Sequence, residues 1–294
     1  MTILMLVVVL LFLLFFRAYR NTFQATINYI PVVVHTSAEN RTEPFAPLQV
    51  LHLSDLHMEN ISVKAEEVVD RFRNEPVDII AITGDLLDRE KNIGRAIEYV
   101  KTIMKLQPAY GTFVVFGNHD YKLSAEKLTQ LKAGLERIGS HVLVNETITF
   151  QRDGQKIHVI GVDDYSTRHS DLAKAYNGVD QDGLKLVLTH DPNLVLQMKD
   201  FTFDYLLSGH FHGGQIHWPK PYHLAKMGKL PRMNMVKGLH YYEGRPFYIS
   251  EGLGQTGVNI RVRSRPEITL HTLQADFSPI ASFVQEAAVG LAPK

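Results

Sequence analysis

Residues 77–89 read VDIIAITGDLLDR, and this stretch decides the fold. Its first half is a short apolar run rich in β-branched residues, which predicts a buried strand from Val77 to Ile82. Thr-Gly follows, and then the carboxylate of Asp85. Because ligands of open α/β sheets bind beyond the carboxyl ends of the strands, Asp85 is predicted to lie at a functional edge. The structural alternative is that Asp85 only caps the next helix.

The same arrangement recurs four more times along the chain. Apolar runs at 50–53, 112–116, 184–188 and 203–207 are each followed directly by a short polar motif. The motifs are Ser54-Asp55-Leu56-His57, Gly117-Asn118-His119-Asp120, Thr189-His190-Asp191 and Ser208-Gly209-His210-Phe211-His212. Asp, Asn and His are ligands for borderline-to-hard metal ions. Five strands that end in such residues predict one shared metal site rather than five unrelated helix caps.

Taken in order, D-x-H, G-D-x-x-D-R, G-N-H-D, T-H and G-H-x-H resemble the signature of the calcineurin-like metallophosphoesterases, over about residues 48–275. The resemblance implies an α/β fold, a four-layer α/β/β/α sandwich of two mixed sheets. Two positions depart from the pattern. Asp120 stands where many members carry Glu, and Glu90 follows Arg89 where the phosphatase branch has Gly. Neither change removes a predicted ligand, but Glu90 disfavours a protein phosphatase.

The resemblance also implies a pair of divalent metal ions bridged by Asp85. The remaining ligands would be Asp55, His57 and His212 for one ion, and Asn118, His190 and His210 for the other. Nitrogen and oxygen ligands without sulfur favour manganese, with iron or zinc as alternatives. Attack by a metal-bridging hydroxide would then hydrolyse a phosphodiester or pyrophosphate bond.

Three further residues receive catalytic roles from the resemblance. His119 matches the family's catalytic histidine that is not a ligand, and is predicted to protonate the leaving oxygen. Asp88 is predicted to orient the His119 imidazole. Arg89 is predicted to bind a phosphate oxygen, with an ordinary surface arginine as the alternative. Asp120 is expected to support its loop.

Composition sets limits on the class of protein. The chain has 294 residues with 31 basic and 31 acidic side chains, and this balance gives no reason to expect nucleic-acid binding. The absence of cysteine excludes thiol catalysis, disulfides and thiolate metal sites. We expect an N-terminal anchor at 1–20, an edge strand and connecting loop at 21–47, the metallophosphoesterase domain at 48–275 and a tail at 276–294.

Residues 3–16 read ILMLVVVLLFLLFF and predict a membrane anchor. A helix of this run alone spans about 21 Å, and extension through Arg17-Ala18-Tyr19-Arg20 brings it close to the roughly 30 Å of a bilayer core. A cleaved signal peptide and a buried core helix are the alternatives. No basic residue precedes the run and no small-x-small cleavage site follows it. The two arginines after the run predict a catalytic domain on the cytoplasmic face of the cell membrane.

Residues 213–242 contain five Lys or Arg residues and no acidic residue. This composition fits an anionic membrane surface, a phosphate-bearing amphiphile or single-stranded nucleic acid, and an exposed loop is the structural alternative. Because the segment follows His210 and His212 directly, substrate contact is favoured, and Trp218, Leu224, Met227 and Leu230 are expected to enter the membrane interface.

The Gly252-Leu253-Gly254 motif and the run of Arg261, Arg263 and Arg265 resemble the bacterial membrane-associated branch of the family. Some members of that branch hydrolyse UDP-diacylglucosamine in lipid A assembly. The expected substrate is therefore a phosphate-bearing small molecule or a lipid-linked one. The competing hypotheses are a soluble-nucleotide phosphodiesterase, a protein phosphatase and a non-catalytic metal-binding scaffold.

Local patterns predict the remaining elements. Helices are expected at 62–73 with Ser62 as its cap, at 93–105 and at 124–138. Strands are expected at 24–35, placed at a sheet edge by Pro31, and at 142–150 and 156–162 around a turn. Asp163 and Asp164 are read as an acidic turn rather than as ligands.

Overall fold

The structure is a computed structural model and describes residues 2–35 and 46–276. Two six-stranded sheets pack face to face, and helices cover the outer face of each sheet. The predicted four-layer α/β/β/α sandwich is thereby confirmed. Most of the loop expected before residue 48 and the tail after residue 276 lie outside the described residues.

The first sheet is mixed and carries the earlier sequence motifs. Its strands, in spatial order, are β1 (Thr26–His35), β12 (Glu267–Asp276), β2 (Leu48–Leu53), β3 (Ile79–Thr83), β4 (Thr112–Val115) and β5 (His141–Val142). Strands β2 to β5 are parallel, whereas β12 runs antiparallel to β2. As predicted, β1 lies at the edge, where Pro31 can be accommodated without a ladder N–H. The segment before residue 48 therefore contributes a strand to the domain.

The second sheet carries the later motifs. Its strands, in spatial order, are β10 (Gly238–Tyr242), β11 (Arg245–Ile249), β9 (Tyr205–Ser208), β8 (Leu184–Leu188), β7 (Gln155–Gly161) and β6 (Glu146–Arg152). Strands β7, β8, β9 and β11 are parallel, and antiparallel hairpins with β6 and β10 close the two edges. Like the first sheet, it is mixed.

Helices complete the outer layers. The first sheet is covered by α2 (Ala65–Phe72), α3 (Ile93–Ile103) and α4 (Ala125–Arg137). The second sheet is covered by α5 (Leu172–Ala175), a 3₁₀ helix (Pro192–Asp200) and α6 (Lys229–Arg232). The N-terminal α1 (Thr2–Arg20) stands apart, with every large apolar side chain from Ile3 to Phe16 at least 46% exposed.

Alternation along the central strands explains why they read as continuous apolar runs. In β3, Ile79 and Ala81 face the second sheet, whereas Ile80 and Ile82 face the helices. Leu48 and Leu51 alternate in the same way in β2. Both faces of these strands are buried, so β3 is apolar until it ends at Thr83. The polar His52 inside β2 is fully buried, and its Nε2 is hydrogen bonded to the Thr83 hydroxyl.

Three local predictions are wrong. The strand expected at 142–150 is divided between β5 in the first sheet and β6 in the second. Ser62 does not cap α2, which begins at Ala65 with Lys64 at the N-cap, because the Ser62 hydroxyl is hydrogen bonded to Thr22 instead. Leu224 and Leu230, expected in a membrane interface, are at most 4% exposed and pack in the core beneath the second sheet. By contrast, Ser124 caps α4 as predicted.

Candidate dinuclear metal centre

The loops that follow β2, β3, β4, β8 and β9 meet at one end of the two sheets. Backbone bonds join them directly: Asp55 N donates to Gly84 O at 3.0 Å, and His57 N donates to Asp85 O at 2.9 Å. Gly117 approaches this junction so closely that a Cβ there would lie 2.3 Å from Asp85 Oδ1. The first and second sheets therefore deliver their polar motifs to one place, as the strand-end rule predicts.

Five of the seven predicted ligands have left-handed backbone angles. They are Asp55 (φ 50°), His57 (φ 39°), Asp85 (φ 52°), His210 (φ 74°) and His212 (φ 50°). Positive φ is uncommon in non-glycine residues and costs free energy, so it persists where surrounding structure enforces it, often at functional sites. The concentration of these angles on the predicted ligands supports a functional role for the cluster.

Four predicted ligands form the first group: Asp55, His57, Asp85 and His212 offer donor atoms that all lie within 4.8 Å of one another. His57 Nε2 is 3.2 Å from His212 Nε2 and 3.4 Å from Asp85 Oδ2. His212 Nε2 is 3.3 Å from Asp55 Oδ1. All four side chains are buried.

Asp85, His190 and His210 form the second group. His190 Nε2 is 3.2 Å from Asp85 Oδ2 and 3.1 Å from His210 Nδ1. His190 Nδ1 is 2.8 Å from the Thr83 carbonyl oxygen, to which its N–H donates. This bond fixes the tautomer that leaves Nε2 free for a metal, as ligating histidines require. Asp85 Oδ2 belongs to both groups, which is the position expected of a bridging carboxylate.

These spacings fit metal coordination. Two nitrogen ligands at about 2.1 Å from one ion and at right angles to each other are about 3 Å apart, the separation seen between the paired imidazole nitrogens. Asn118 Oδ1, predicted as the seventh ligand, is buried without a hydrogen-bond partner. Since buried polar atoms are normally paired, this oxygen has the property expected of an atom that binds an ion.

The electrostatics of the cluster also suit cations. Burial raises the pKa of a carboxyl group, but the neighbouring His190 and His57 outweigh burial and hold the pKa of Asp85 well below its usual range. Burial lowers the pKa of His212 to about 3, so this imidazole is neutral at physiological pH. Burial also opposes a charge on His190, but Asp85 raises the pKa of His190 well above its ordinary value. A metal ion that binds there must therefore displace a proton.

His119 lies beside the cluster and contacts Asp88 as predicted. Its Nδ1 is hydrogen bonded to Asp88 Oδ1, and its Nε2 is 4.0 Å from Asp85 Oδ2. Burial lowers the pKa of His119, but the bond to Asp88 and the charge of Asp85 outweigh burial and raise it above the usual value. Lys122, which sequence reasoning missed, places its Nζ 3.5 Å from Asp88 Oδ1.

The remaining predicted residues differ in placement. Arg89 is exposed, and the structure describes no partner for its guanidinium, so its role stays a prediction. Asp120 accepts hydrogen bonds from the amides of Gly117 and Leu86, both at 2.9 Å, and so supports its loop as expected. Asp164 accepts bonds from Ser166 and Thr167, consistent with a turn rather than a ligand.

Three residues hold these loops in a way that the sequence did not predict, although Arg261 was noted as part of an arginine run. Glu59 accepts bonds from the amides of Asp88 and Arg89 at 3.0 and 2.9 Å. Asn193 is buried, and its Oδ1 accepts from the amides of Lys229 and Leu230 while its Nδ2 donates to Asp191 Oδ1. Arg261 is 0% exposed and donates only to uncharged oxygens. The bonds from Glu59 to Asp88 and Arg89, from Asn193 to Lys229 and Leu230, and from Arg261 to His212 join residues far apart in sequence, so no local pattern signals them.

A cavity of about 990 Å³ opens beside His210. The side chains around it include the cationic Arg168, Lys226 and Lys229 and the apolar Leu196 and Met227. Among the described residues, no carboxylate forms an ion pair with any of the three cations. Asp191 also lines the cavity, so three cationic side chains and one carboxyl group surround an open cavity beside the candidate metal centre.

Comparison with known families agrees with this geometry. Residues 48–214 match the family model of the calcineurin-like phosphoesterases, and the chain belongs to that family. The protein is thus a metallophosphoesterase, a hydrolase of phosphoric esters whose family uses divalent metal ions.

Three relatives illustrate the similarity. The chain is 54% identical over 273 residues to the uncharacterized metallophosphoesterase YkoQ of Bacillus subtilis (strain 168), covering 92% of this chain and 99% of that protein. It is 27% identical to phosphodiesterase YaeI of Escherichia coli (strain K12), and the match covers 76% of this chain and 82% of that protein. It is 30% identical to a transmembrane protein with a metallophosphoesterase domain from Bos taurus, and the match covers 78% of this chain and 53% of that protein.

Proposed function

We propose that this metallophosphoesterase hydrolyses a phosphodiester or pyrophosphate bond of a lipid-linked substrate, such as UDP-diacylglucosamine, with two divalent metal ions. The observation that carries the dinuclear proposal is the position of Asp85 Oδ2, 3.4 Å from His57 Nε2 and 3.2 Å from His190 Nε2. Manganese is the proposed metal, with iron or zinc as alternatives, because the donors are imidazole, carboxylate and amide without sulfur.

Different residues of the chain would bind the two metal ions and transfer the proton. One ion would be held by Asp55, His57 and His212. The other would be held by Asn118, His190 and His210. Asp85 would bind both ions. Bound there, the ions would supply Lewis acidity and a water molecule of lowered pKa. A phosphoryl group at the centre would face His119 Nε2, which lies 4.0 Å from Asp85 Oδ2.

His119 is the proposed general acid. Its raised pKa favours the protonated ring more than in an ordinary histidine. With Nδ1–H donated to Asp88, the ring presents Nε2–H to the leaving oxygen. Asp88 is thereby a positioning residue, since it fixes the ring and stabilises its positive charge without touching the substrate. Arg89, exposed beside Asp88, is proposed to bind an outer phosphate oxygen.

The cavity beside His210 supports an extended anionic substrate. Its three cations, which form no ion pair within the described part of the chain, can bind phosphate groups beyond the one that reacts. Its apolar side chains can contact a hydrocarbon or base. A simple diester would leave most of about 990 Å³ unfilled.

α1 supports the membrane part of the proposal. The helical stretch Thr2–Phe23 contains 18 consecutive residues with a mean hydropathy of 2.5, of which only 6% are buried, so it is long and apolar enough to span a membrane. A signal sequence passes the same test, so retention of residues 2–20 in the mature protein is itself a prediction. Arg17 and Arg20 at the end of the helix favour a catalytic domain on the cytoplasmic side.

A substrate panel tests the proposed function. The full chain, purified in detergent with manganese, is assayed against UDP-diacylglucosamine, a soluble nucleotide diester, a phosphomonoester and a nitrophenyl diester. We expect the highest kcat/KM for the lipid-linked pyrophosphate. A higher value for the nucleotide diester would establish the soluble-nucleotide alternative, and no hydrolysis of any substrate would contradict the proposed activity.

A further inference from the structure

Four exposed apolar side chains outside α1 lie close together. Ile216, Trp218, Tyr222 and Val258 are 44%, 64%, 69% and 58% exposed. Ile216 forms an isolated β-bridge with Val262, and the side chain of the neighbouring Gln215 donates to the Val258 carbonyl at 3.0 Å. Trp218, Tyr222 and Ile216 also line one shallow depression. We call these four residues the apolar face.

α1 ends directly against this face. The Arg261 amide donates to the Ala18 carbonyl at 2.9 Å, and Asn21 Nδ2 donates to the Arg261 carbonyl at 2.9 Å. Ala18 is buried against the domain. Since Arg261 precedes Val262, the partner of Ile216, the apolar helix leaves the domain beside the apolar face.

The surroundings of the apolar face are basic, although the whole chain is neutral. Three segments meet there: 17–26 around the end of α1, 213–242, and 252–266. None contains Asp or Glu, and together they carry ten Lys or Arg residues. Arg261 is fully buried, Lys237 is ion-paired with Glu251 at 2.7 Å, and Lys226 and Lys229 line the cavity beside His210. Lys220 and Arg263 are exposed among them. This asymmetry suits an anionic lipid surface, to which each basic residue contributes about 1 kcal/mol.

Arg261 fixes the apolar face to the metal centre. Its buried guanidinium donates to the carbonyl oxygen of His212 at 2.9 Å and to that of Glu251 at 2.7 Å. The Ser264 hydroxyl donates to the same His212 carbonyl at 2.9 Å. One residue therefore bonds to the end of α1 through its backbone and to the ligand loop through its side chain.

We infer that the apolar face docks on an anionic bilayer, with Trp218 and Tyr222 at headgroup depth. The inference rests on the proposed membrane anchor, which would hold this face against the bilayer from which α1 emerges. Aromatic residues flanked by basic ones are typical of membrane interfaces. Docking would place the loop that carries His212 at the level of the lipid headgroups and let an amphiphilic phosphate ester reach the centre without leaving the bilayer.

Trp218 is the only tryptophan of the chain and reports on docking directly. The full chain is placed, one copy per disc, in nanodiscs of phosphatidylcholine and phosphatidylglycerol whose acyl chains are brominated near the carbonyl end. We expect Trp218 to lose most of its emission relative to unbrominated discs and to resist quenching by iodide. Emission that is unchanged by bromine and quenched by iodide would overturn the inference.

A matched control moves the reporter to the opposite end of the second sheet. Gln151 is an exposed residue of β6 and pairs with Lys156 near the start of β7. The candidate metal centre lies beyond the other end of β7. In Trp218→Phe/Gln151→Trp, we expect emission that bromine leaves unchanged. If bromine quenches both positions equally, the domain has no preferred face towards the membrane and the inference is wrong.

The dependence of Trp218 quenching on lipid charge distinguishes docking of the apolar face from tethering of the domain by α1 alone. Replacing phosphatidylglycerol by phosphatidylcholine, or raising the salt concentration, should weaken the quenching of Trp218, because screening acts on exposed cations. Quenching that is insensitive to both changes would contradict the role of the basic segments. Hydrolysis of a soluble diester by the same discs is measured in parallel. A chain that hydrolyses it but does not enter discs refutes the anchor and leaves the phosphoesterase activity intact.

Discussion

The seven predicted metal ligands and the basic segment 213–242 adjoin one another but are built in opposite ways. Six of the ligands, all except the part-buried Asn118, are at most 7% exposed, and five hold left-handed backbone angles. In the basic segment, Lys226 and Lys229 are exposed and have no ion-pair partner in the described part of the chain. The difference supports the proposed division of roles, in which the buried cluster carries out the chemistry and the exposed lysines of the basic segment select the substrate.

Asn193 is where the two regions connect. It follows the loop of His190 and bonds to Asp191 on one side and to the backbone of residues 227–230 on the other. Gly228 makes this contact possible, because at φ 131° a Cβ would lie 2.4 Å from the Asn193 side chain. The basic segment is therefore held next to the metal centre by a specific contact.

The largest effect is expected for Asp85→Asn. This change removes the negative charge shared by both ligand groups, so we expect undetectable hydrolysis and loss of bound metal, measured by elemental analysis of the purified chain. Asp204→Asn is the matched control, because Asp204 accepts a bond from the Lys185 amide at the far end of the second sheet. Wild-type activity with two bound metals in Asp85→Asn would refute the bridging role.

His119→Ala should reduce kcat by roughly 10²- to 10⁴-fold, the usual contribution of a positioned general acid, while both metals remain bound. The loss should shrink for nitrophenyl esters, whose leaving group needs no proton. Equal losses for good and poor leaving groups would show that His119 does not act as the acid.

Lys226→Gln/Lys229→Gln is expected to act only through the exposed segment. We expect an increase in KM of roughly 5- to 30-fold for a lipid-linked pyrophosphate at low salt, at about 1 kcal/mol per cation. KM for a small soluble diester should change little. Lys105→Gln, an exposed lysine beyond α3, serves as a control for lost surface charge. An equal increase in KM for both substrates would show that the double change damages the metal centre. It would contradict the proposal that the exposed lysines act only on substrate choice.

Glu267→Gln should leave catalysis and substrate choice unchanged and alter only the stability of the folded chain. Burial raises the pKa of Glu267 to about 7, above the usual value near 4.5. The folded chain thus binds more protons than the unfolded chain between these values, and the free energy of unfolding falls as pH rises through this window. Glu267→Gln should therefore stabilise at pH 8 by up to about 3 kcal/mol and have little effect below pH 4. Denaturant unfolding at the two pH values measures this, and a pH-independent effect would contradict the stated ionisation.

The sequence predicted the sheets and the ligand cluster because both depend on local signals. Strands such as β3 are apolar on both faces and end abruptly in polar residues, so their ends could be located. The basic segment lacks long regular elements, and without periodicity Leu224 and Leu230 were assigned to the membrane although they pack in the core. Contacts such as those of Arg261 and Asn193 join residues far apart in sequence, and only the folded chain brings them together.

A metal titration shows whether two ions bind at Asp85 and whether hydrolysis needs both. The full chain is stripped of metal with a chelator, Mn²⁺ is added back in known equivalents, and bound metal and diester hydrolysis are measured together. We expect that hydrolysis rises until two ions are bound per chain and that Asp85→Asn reaches neither full binding nor activity. Full activity with one bound ion, or no activity with two, would contradict it.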